Sequence, residues 1–180
     1  MTVLWPRPSD RHRLLSRYFD ASIRYHHIHG GGVAVAFDEQ GSPTAAADWD
    51  PPNRSSQSLL STVRASPHLI AALRSALPRA IGVRRTLDRR QPEEPHWYLA
   101  HIGTVGDARG RGYASGIMRQ QLETIDQQYL PAYLVSTRPE TVPFYRRFGF
   151  DVTTEFPLVS DGPVMTGMWR PPRSRKSIQC

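Results

Sequence analysis

Lysine is almost missing from this chain. Lys176 is the only one in 180 residues, so the 23 basic side chains are nearly all arginine. Cysteine occurs once, at Cys180, which excludes an intramolecular disulfide and a cysteine-based zinc site. The closing Ser177-Ile178-Gln179-Cys180 also puts that thiol in the wrong place for prenylation. No apolar run is long enough to span a bilayer. Met1 to Arg13 holds proline, aspartate and arginine where a signal peptide needs an apolar stretch, so a cytoplasmic protein with no membrane partner is expected. Repeats are absent, and no composition shift marks a second domain. One domain over residues 1–170 and a basic, disordered tail over 171–180 are expected.

What is present is a positive balance of +7 with a sequence pI near 10.2. Such a charge suits a nucleic acid, a membrane surface or an anionic small molecule. The arginines are scattered apart from Arg84-Arg85, Arg89-Arg90 and the tail, and no aromatic-rich single-strand-binding pattern accompanies them, which disfavours nucleic acid. His26, His27 and His29 tempt as metal ligands, but neighbouring histidines on a helix point different ways, so no metal is expected.

Hydrophobic periodicity divides the chain into a mixed α/β order. A helix is expected from Ser9 or Asp10 to about Tyr25, then strands over 33–37 and 44–49 around a turn at Gly41 and Pro43. Residues 55–64, 67–76 and 78–90 read as helices. A long strand over 96–105 follows, then a Gly/Arg loop over 106–112 and an amphipathic helix over 113–128. Its apolar face is Ala114, Ile117, Met118, Leu122 and Ile125. A strand over 131–136, a short helix over 142–147 and strands over 150–156 and 164–170 close the chain.

The stretch from Ile102 to Gly116 carries the chemistry. It runs strand, Gly/Arg loop, helix start. The first N–H groups of a helix lack internal acceptors and carry partial positive charge, so they bind phosphate. Gly110 and Gly112 allow close approach to the backbone, and Arg109 and Arg111 add full charges. A P-loop is excluded by the missing Gly-Lys-Ser/Thr. A Rossmann fingerprint is disfavoured by Ser115 in place of its last glycine or alanine, and by a following strand that ends in Val135-Ser136 with no acid. The pattern that remains is R-x-x-G-x-A, met by Arg109, Gly112 and Ala114.

That segment resembles the acetyl-CoA motif of GNAT N-acyltransferases. Thr141-Val142-Pro143-Phe144-Tyr145-Arg146-Arg147-Phe148-Gly149-Phe150 resembles the second motif of the family. His96-Trp97-Tyr98-Leu99, Met168-Trp169-Arg170-Pro171 and Asp48-Trp49-Asp50-Pro51-Pro52 resemble its puromycin N-acetyltransferase-like branch. The resemblance implies a mixed sheet lacking the first strand of the family, or keeping a stub of it at Val3 to Trp5. It implies acetyl-CoA as co-substrate and an acetyl transfer to a primary amine of a small molecule by direct attack. Acetylation of a protein N-terminus or lysine, and a non-catalytic acyl-CoA-binding module, stay open as alternatives, as does a homodimer. Two central strands, 96–105 and 131–136, are implied to splay around pantetheine. Backbone groups of Gly103, Thr104 and Val105 would pair with it, and the N–H groups of Arg109, Gly110, Arg111, Gly112, Tyr113 and Ala114 would hold the diphosphate. Thr141, where the family often has asparagine, would lie at a further CoA contact. Tyr145 aligns with the tyrosine that protonates the departing thiolate. Asp48, Asp50, Glu93, Glu94 and His96 are candidate bases, among which the sequence does not choose.

Overall fold

The computed structural model describes residues 13–16, 19–20, 32–52, 73, 76–159 and 162–173. The stub at Val3 to Trp5, the three histidines at 26, 27 and 29, most of the expected helices over 55–76 and the tail beyond Arg173 lie outside these residues.

Six strands form one mixed sheet: β1 (Val33–Phe37), β2 (Pro43–Asp50), β3 (Trp97–Thr104), β4 (Ala132–Ser136), β5 (Asp151–Pro157) and β6 (Val164–Arg170), in the order β1-β2-β3-β4-β6-β5. Only β3 and β4 run parallel; every other pair is antiparallel. Between β2 and β3 comes α1 (Leu77–Asp88), between β3 and β4 comes α2 (Tyr113–Gln127), and α3 (Val142–Arg146) follows β4. The β1–β2 turn forms because the Asp38 carboxylate accepts the N–H groups of Gln40 and Ser42 while Gly41 takes a positive φ of 78°. Gly32 lies so close to the Trp49 carbonyl that a side chain there would collide with backbone.

Among the described residues, the expected strands and the helices over 78–90, 113–128 and 142–147 appear with ends shifted by up to two residues. The helical face of α2 is nearly as its periodicity predicts, with Ile117, Met118, Leu122 and Ile125 buried and Ala114 half-buried. It covers one face of the sheet, against Ala45, Ala47, Trp49, Trp97, Leu99, Ala132, Leu134 and Met168. On the opposite face a smaller apolar cluster joins Leu77, Ala80 and Val83 of α1 to Leu14, Leu15, Leu73 and Ala76. Residues 13–16 and 19–20 are helical, within the helix expected there.

An ion pair on a buried arginine ties the α2 layer to the sheet. Arg170, at the end of β6 and 3% exposed, donates from both terminal nitrogens to the Asp126 carboxylate at 2.6 and 2.7 Å, and from Nε to the Phe148 carbonyl at 2.9 Å. The guanidinium thus has a fork-on-fork partner and a third acceptor, which is the satisfied geometry that makes a buried charge tolerable. Arg170→Ala leaves the Asp126 carboxylate and the Phe148 carbonyl without this donor. It is expected to cost about 3–5 kcal/mol, measured as the fall in unfolding free energy in urea.

Candidate functional site

The central feature is a parting of the sheet. Strands β3 and β4 pair at Trp97↔Ala132, Tyr98↔Tyr133 and Leu99↔Leu134, and the ladder stops there. Beyond that point β3 stays with β2 through Thr104↔Ala45, and β4 stays with β6 through Ser136↔Thr166. The cause is visible in the β2–β3 register. Asp48 faces His101 and the next residue, Trp49, faces Leu99, so Ala100 is an extra residue in β3. Such a bulge bends its strand and adds twist, which turns residues 101–104 off the line of β4.

The bulge also decides which backbone groups face the opening. The Val105 N–H donates to the Thr44 carbonyl at 2.8 Å. Bonded and non-bonded pairs alternate along an antiparallel ladder. In that alternation Gly103 and Val105 direct their main-chain groups at β2, while Ile102 and Thr104 direct theirs toward the gap. Of the three residues expected to pair with a pantetheine arm, Thr104 keeps a favourable direction and Ile102 joins it. Gly103 leaves the opposite side of the strand without a side chain, and is itself exposed.

Both strands deliver their carboxyl ends to the same mouth, where crevices of open α/β sheets bind ligands. From β3 the chain passes a short 3₁₀ turn at Gly106–Ala108 and enters α2. Gly110 and Gly112 hold φ values of 76° and 89°, a left-handed conformation that costs other residues roughly 1–2 kcal/mol. Gly112 is the helix cap, and no side chain caps the α2 start. The first helical bond is from the Gly116 N–H to the Gly112 carbonyl, and the N–H groups of Tyr113, Ala114 and Ser115 reach no acceptor among the described residues. Arg109 and Arg111 are exposed beside them. A groove of about 470 Å³ runs along this turn, lined by Arg111, Gly112, Tyr113, Gly116, Arg119 and, from β1, Val35. A phosphorylated ligand fits this turn: it offers unbonded amides, close backbone approach and two arginines.

From β4 the chain turns into α3. Thr141 is engaged in that turn, its Oγ1 2.7 Å from Ser136 Oγ and 2.8 Å from the Arg138 carbonyl. Its hydroxyl therefore holds the exit of β4. Tyr145 is 8% exposed and packs with Phe144 and Phe150 on the α2 side of the sheet. Its hydroxyl bonds to no described residue, and burial raises its pKa above the ordinary phenol value.

The candidate bases scatter. Glu93 and Glu94 are exposed in the loop before β3. His96 lies at the closed end of the β3–β4 ladder, with Nδ1 2.6 Å from the Glu94 carbonyl and its ring edge-on to Tyr133 and Trp169. Burial lowers its pKa. At about 3.3 Å per residue it stands roughly 15 Å from the start of the opening. Asp50 faces Tyr98 beside the closed ladder, and Tyr98 is itself stacked on Tyr133. Asp48 is buried and faces His101, whose Nδ1 is 3.0 Å from Asp48 Oδ2. His101 is absent from the sequence-derived candidates because its partner lies 53 residues away along the chain. Among the described residues no group of three or more metal-ligating side chains gathers, and no helix is long and apolar enough to cross a membrane.

Comparisons with known proteins agree with this architecture. A family model described as an acetyltransferase (GNAT) domain matches residues 42–170. The crystal structure described as histone acetyltransferase HPA2 and related acetyltransferase from Corynebacterium glutamicum is similar with a TM-score of 0.71 and 26% identity, over 95% of this chain and 81% of that one. The structure of Chaetomium thermophilum Naa20 in complex with a bisubstrate analogue shares the fold with a TM-score of 0.54 and 15% identity, over 92% and 84% of the two chains. An uncharacterised N-acetyltransferase of Schizosaccharomyces pombe is 31% identical over 61 residues, a stretch that spans 34% of this chain and 25% of that relative.

Gly112→Asp puts a branched, negatively charged side chain at φ 89° beside the free amides. It is expected to weaken acetyl-CoA binding by at least ~100-fold, and Arg109→Ala by ~10-fold, since a bond to a charged group is worth about 1.5–3 kcal/mol. Titration calorimetry checks both, with circular dichroism to show that the sheet persists.

Proposed function

We propose, for a chain that belongs to the GNAT family of acetyltransferases, the transfer of an acetyl group from acetyl-CoA to a primary amine by direct attack. The observation that carries the reading is the parting of β3 and β4 beyond Leu99↔Leu134, next to a helix start with unbonded amides. The main-chain groups of Ile102 and Thr104 offer an extended ligand the pairing that β4 withholds. An N–H from the same edge donates to the thioester oxygen as negative charge develops on it. The amides of residues 113–115 and the Arg109 and Arg111 guanidiniums hold the linked phosphates.

Tyr145 gives its phenolic proton to the departing sulfur. Its buried, apolar setting keeps the phenol neutral through and above neutral pH, so the proton is present when it is needed. The amine supplies the new C–N bond as the C–S bond breaks, and it releases one proton. The acceptor we favour is a small molecule. Helix α1, in the connection between β2 and β3, lies on the face opposite α2, which supports a bounded approach for the amine. His96 to Leu99 and Met168 to Pro171 support a place beside the puromycin N-acetyltransferase-like branch. The domain spans the matched residues 42–170 together with the segment that precedes them.

Release of thiol from acetyl-CoA in the presence of a panel of small primary amines, and of peptides with free N-termini, tests the reaction and the acceptor class. No release above the rate without amine, in a protein that binds acetyl-CoA, would overturn catalysis. Tyr145→Phe is expected to lower kcat by ~10²–10⁴ with acetyl-CoA affinity kept within threefold. In the parent the alkaline limb of kcat against pH is expected above the ordinary phenol value of about 10, because burial raises this group, and that limb is expected to vanish in the variant.

A further inference from the structure

We infer that His101, held by Asp48, takes the proton that the acceptor amine must lose. The inference rests on the acetyl transfer proposed above and assigns the base that the transfer requires.

His101 is the first residue of β3 after the extra residue Ala100, where the strand begins to leave β4. Its side chain and that of Asp48 share the face opposite α2. Along β2, Ala45, Ala47 and Trp49 belong to the α2-side core, and Asp48 alternates with them. Tyr145 belongs to the α2-side core. The opening between the strands therefore has a phenol on one face and an imidazole on the other. This is the arrangement needed when one proton goes to a leaving sulfur and another comes from an incoming nitrogen.

The pair is built for that task. The Asp48 side chain is 8% exposed and the His101 side chain 30%. The carboxylate is thus sheltered while the ring is partly exposed. With Nδ1 3.0 Å from a carboxylate oxygen, the imidazole donates its Nδ1–H there, and Nε2 bears the basic lone pair. Phe19 packs edge-on against the ring, with centroids 5.1 Å apart and planes at 82°, and fixes its tilt. Asp48 from β2 and Phe19 from the N-terminal helical residues both touch His101. Among the described residues, the other candidate bases sit at the closed end of the ladder or in the loop before it.

The step balances. The amine nitrogen bonds to the carbonyl carbon and the carbon–sulfur bond breaks. The proton of the amine moves to His101 Nε2, and the phenolic proton of Tyr145 moves to sulfur. Asp48 keeps the ring oriented and lies beside the imidazolium that forms. CoA leaves as its thiol, the imidazolium gives its extra proton to solvent, and the Tyr145 phenolate takes one back from solvent, so both side chains are restored.

The test uses the whole chain, acetyl-CoA and the amine of the panel that turns over best. His101→Gln and His101→Ala are expected to lower kcat at least ~100-fold, with acetyl-CoA affinity within threefold of the parent. Added imidazole is expected to restore part of the turnover of His101→Ala. Asp48→Asn, which supplies an amide in place of the carboxylate, is expected to lower kcat by about tenfold. A readout apart from activity is the ¹⁵N spectrum of the labelled histidines. The His101 signals are expected to show the Nδ1–H form, to shift on addition of acetyl-CoA, and to lose that form in Asp48→Asn. Turnover of either His101 variant within threefold of the parent overturns the assignment. Loss of acetyl-CoA binding in both, or no imidazole rescue, also overturns it, since the pair is then structural. A parent that binds acetyl-CoA and acetylates none of the panel refutes the transfer itself, an outcome distinct from each of these.

Discussion

A parallel ladder between β3 and β4 that stops at Leu99↔Leu134 sets the terms for the rest of the molecule. In an ordinary sheet the backbone groups beyond that point would be satisfied by the neighbouring strand, since unpaired buried amides are costly. Here each strand keeps its outer partner, β2 for β3 and β6 for β4, and gives up the inner one. The parting is therefore held open by two antiparallel ladders, each pinned on its own side, with the bulge at Ala100 as the wedge. A flexible loop could not hold such a gap at fixed width. A sheet can, because closing it would require β3 to shed either the bulge or its register with β2.

Around that gap the two faces do different work. On the α2 face the core runs from Trp49 through Met118 and Ile125 to Phe150, all nearly inaccessible, and Tyr145 is set into its edge. The ion pair from Arg170 to Asp126, with its third bond to Phe148, joins the end of β6, helix α2 and the turn after α3 in one contact. It therefore holds the turn that follows Tyr145 against α2 and the sheet. On the opposite face the groups are polar and stacked: Asp48 on His101, then Tyr98 and Tyr133, with His96 beneath them. Gly167 lacks a side chain where the Tyr133 ring crosses β6, and the ring hydroxyl reaches the Arg90 carbonyl.

Much of this was legible beforehand. The strand runs and the helix of 113–127 follow from period-2 and period-3.6 patterns strong enough to survive tertiary packing. Gly110 and Gly112 stood out because arginines flank them at a helix start, and both take the positive φ that only glycine adopts freely. Other features had no local signature. Nothing in His96 to Val105 marks Ala100 as the extra residue, because a bulge is a relation between two strands. The direction of the Val105 N–H toward Thr44 follows from that register and not from its own residue type. Thr141 reads as a weak substitute for asparagine until its hydroxyl is found in the turn with Ser136 and Arg138. His101 sat in plain view inside a strand, and it gained a chemical meaning only when Asp48 arrived beside it from another strand.

That last point bears on how binding and chemistry are divided in this chain. The residues fitted to hold linked phosphates, 109–115, belong to one loop and one helix turn, and their competence is local: positive-φ glycines and unbonded amides would bind an anion on many scaffolds. The residues proposed to move protons come from separate elements, α3 for Tyr145, β3 for His101 and β2 for Asp48. On that proposal they meet at one opening, which exists because β3 and β4 part beyond Leu99↔Leu134. A loop can therefore be read for ligand class from one stretch of sequence. The chemistry done on that ligand depends on distances between strands, and those are fixed by the bulge, the two flanking ladders and the arginine that locks α2 to β6.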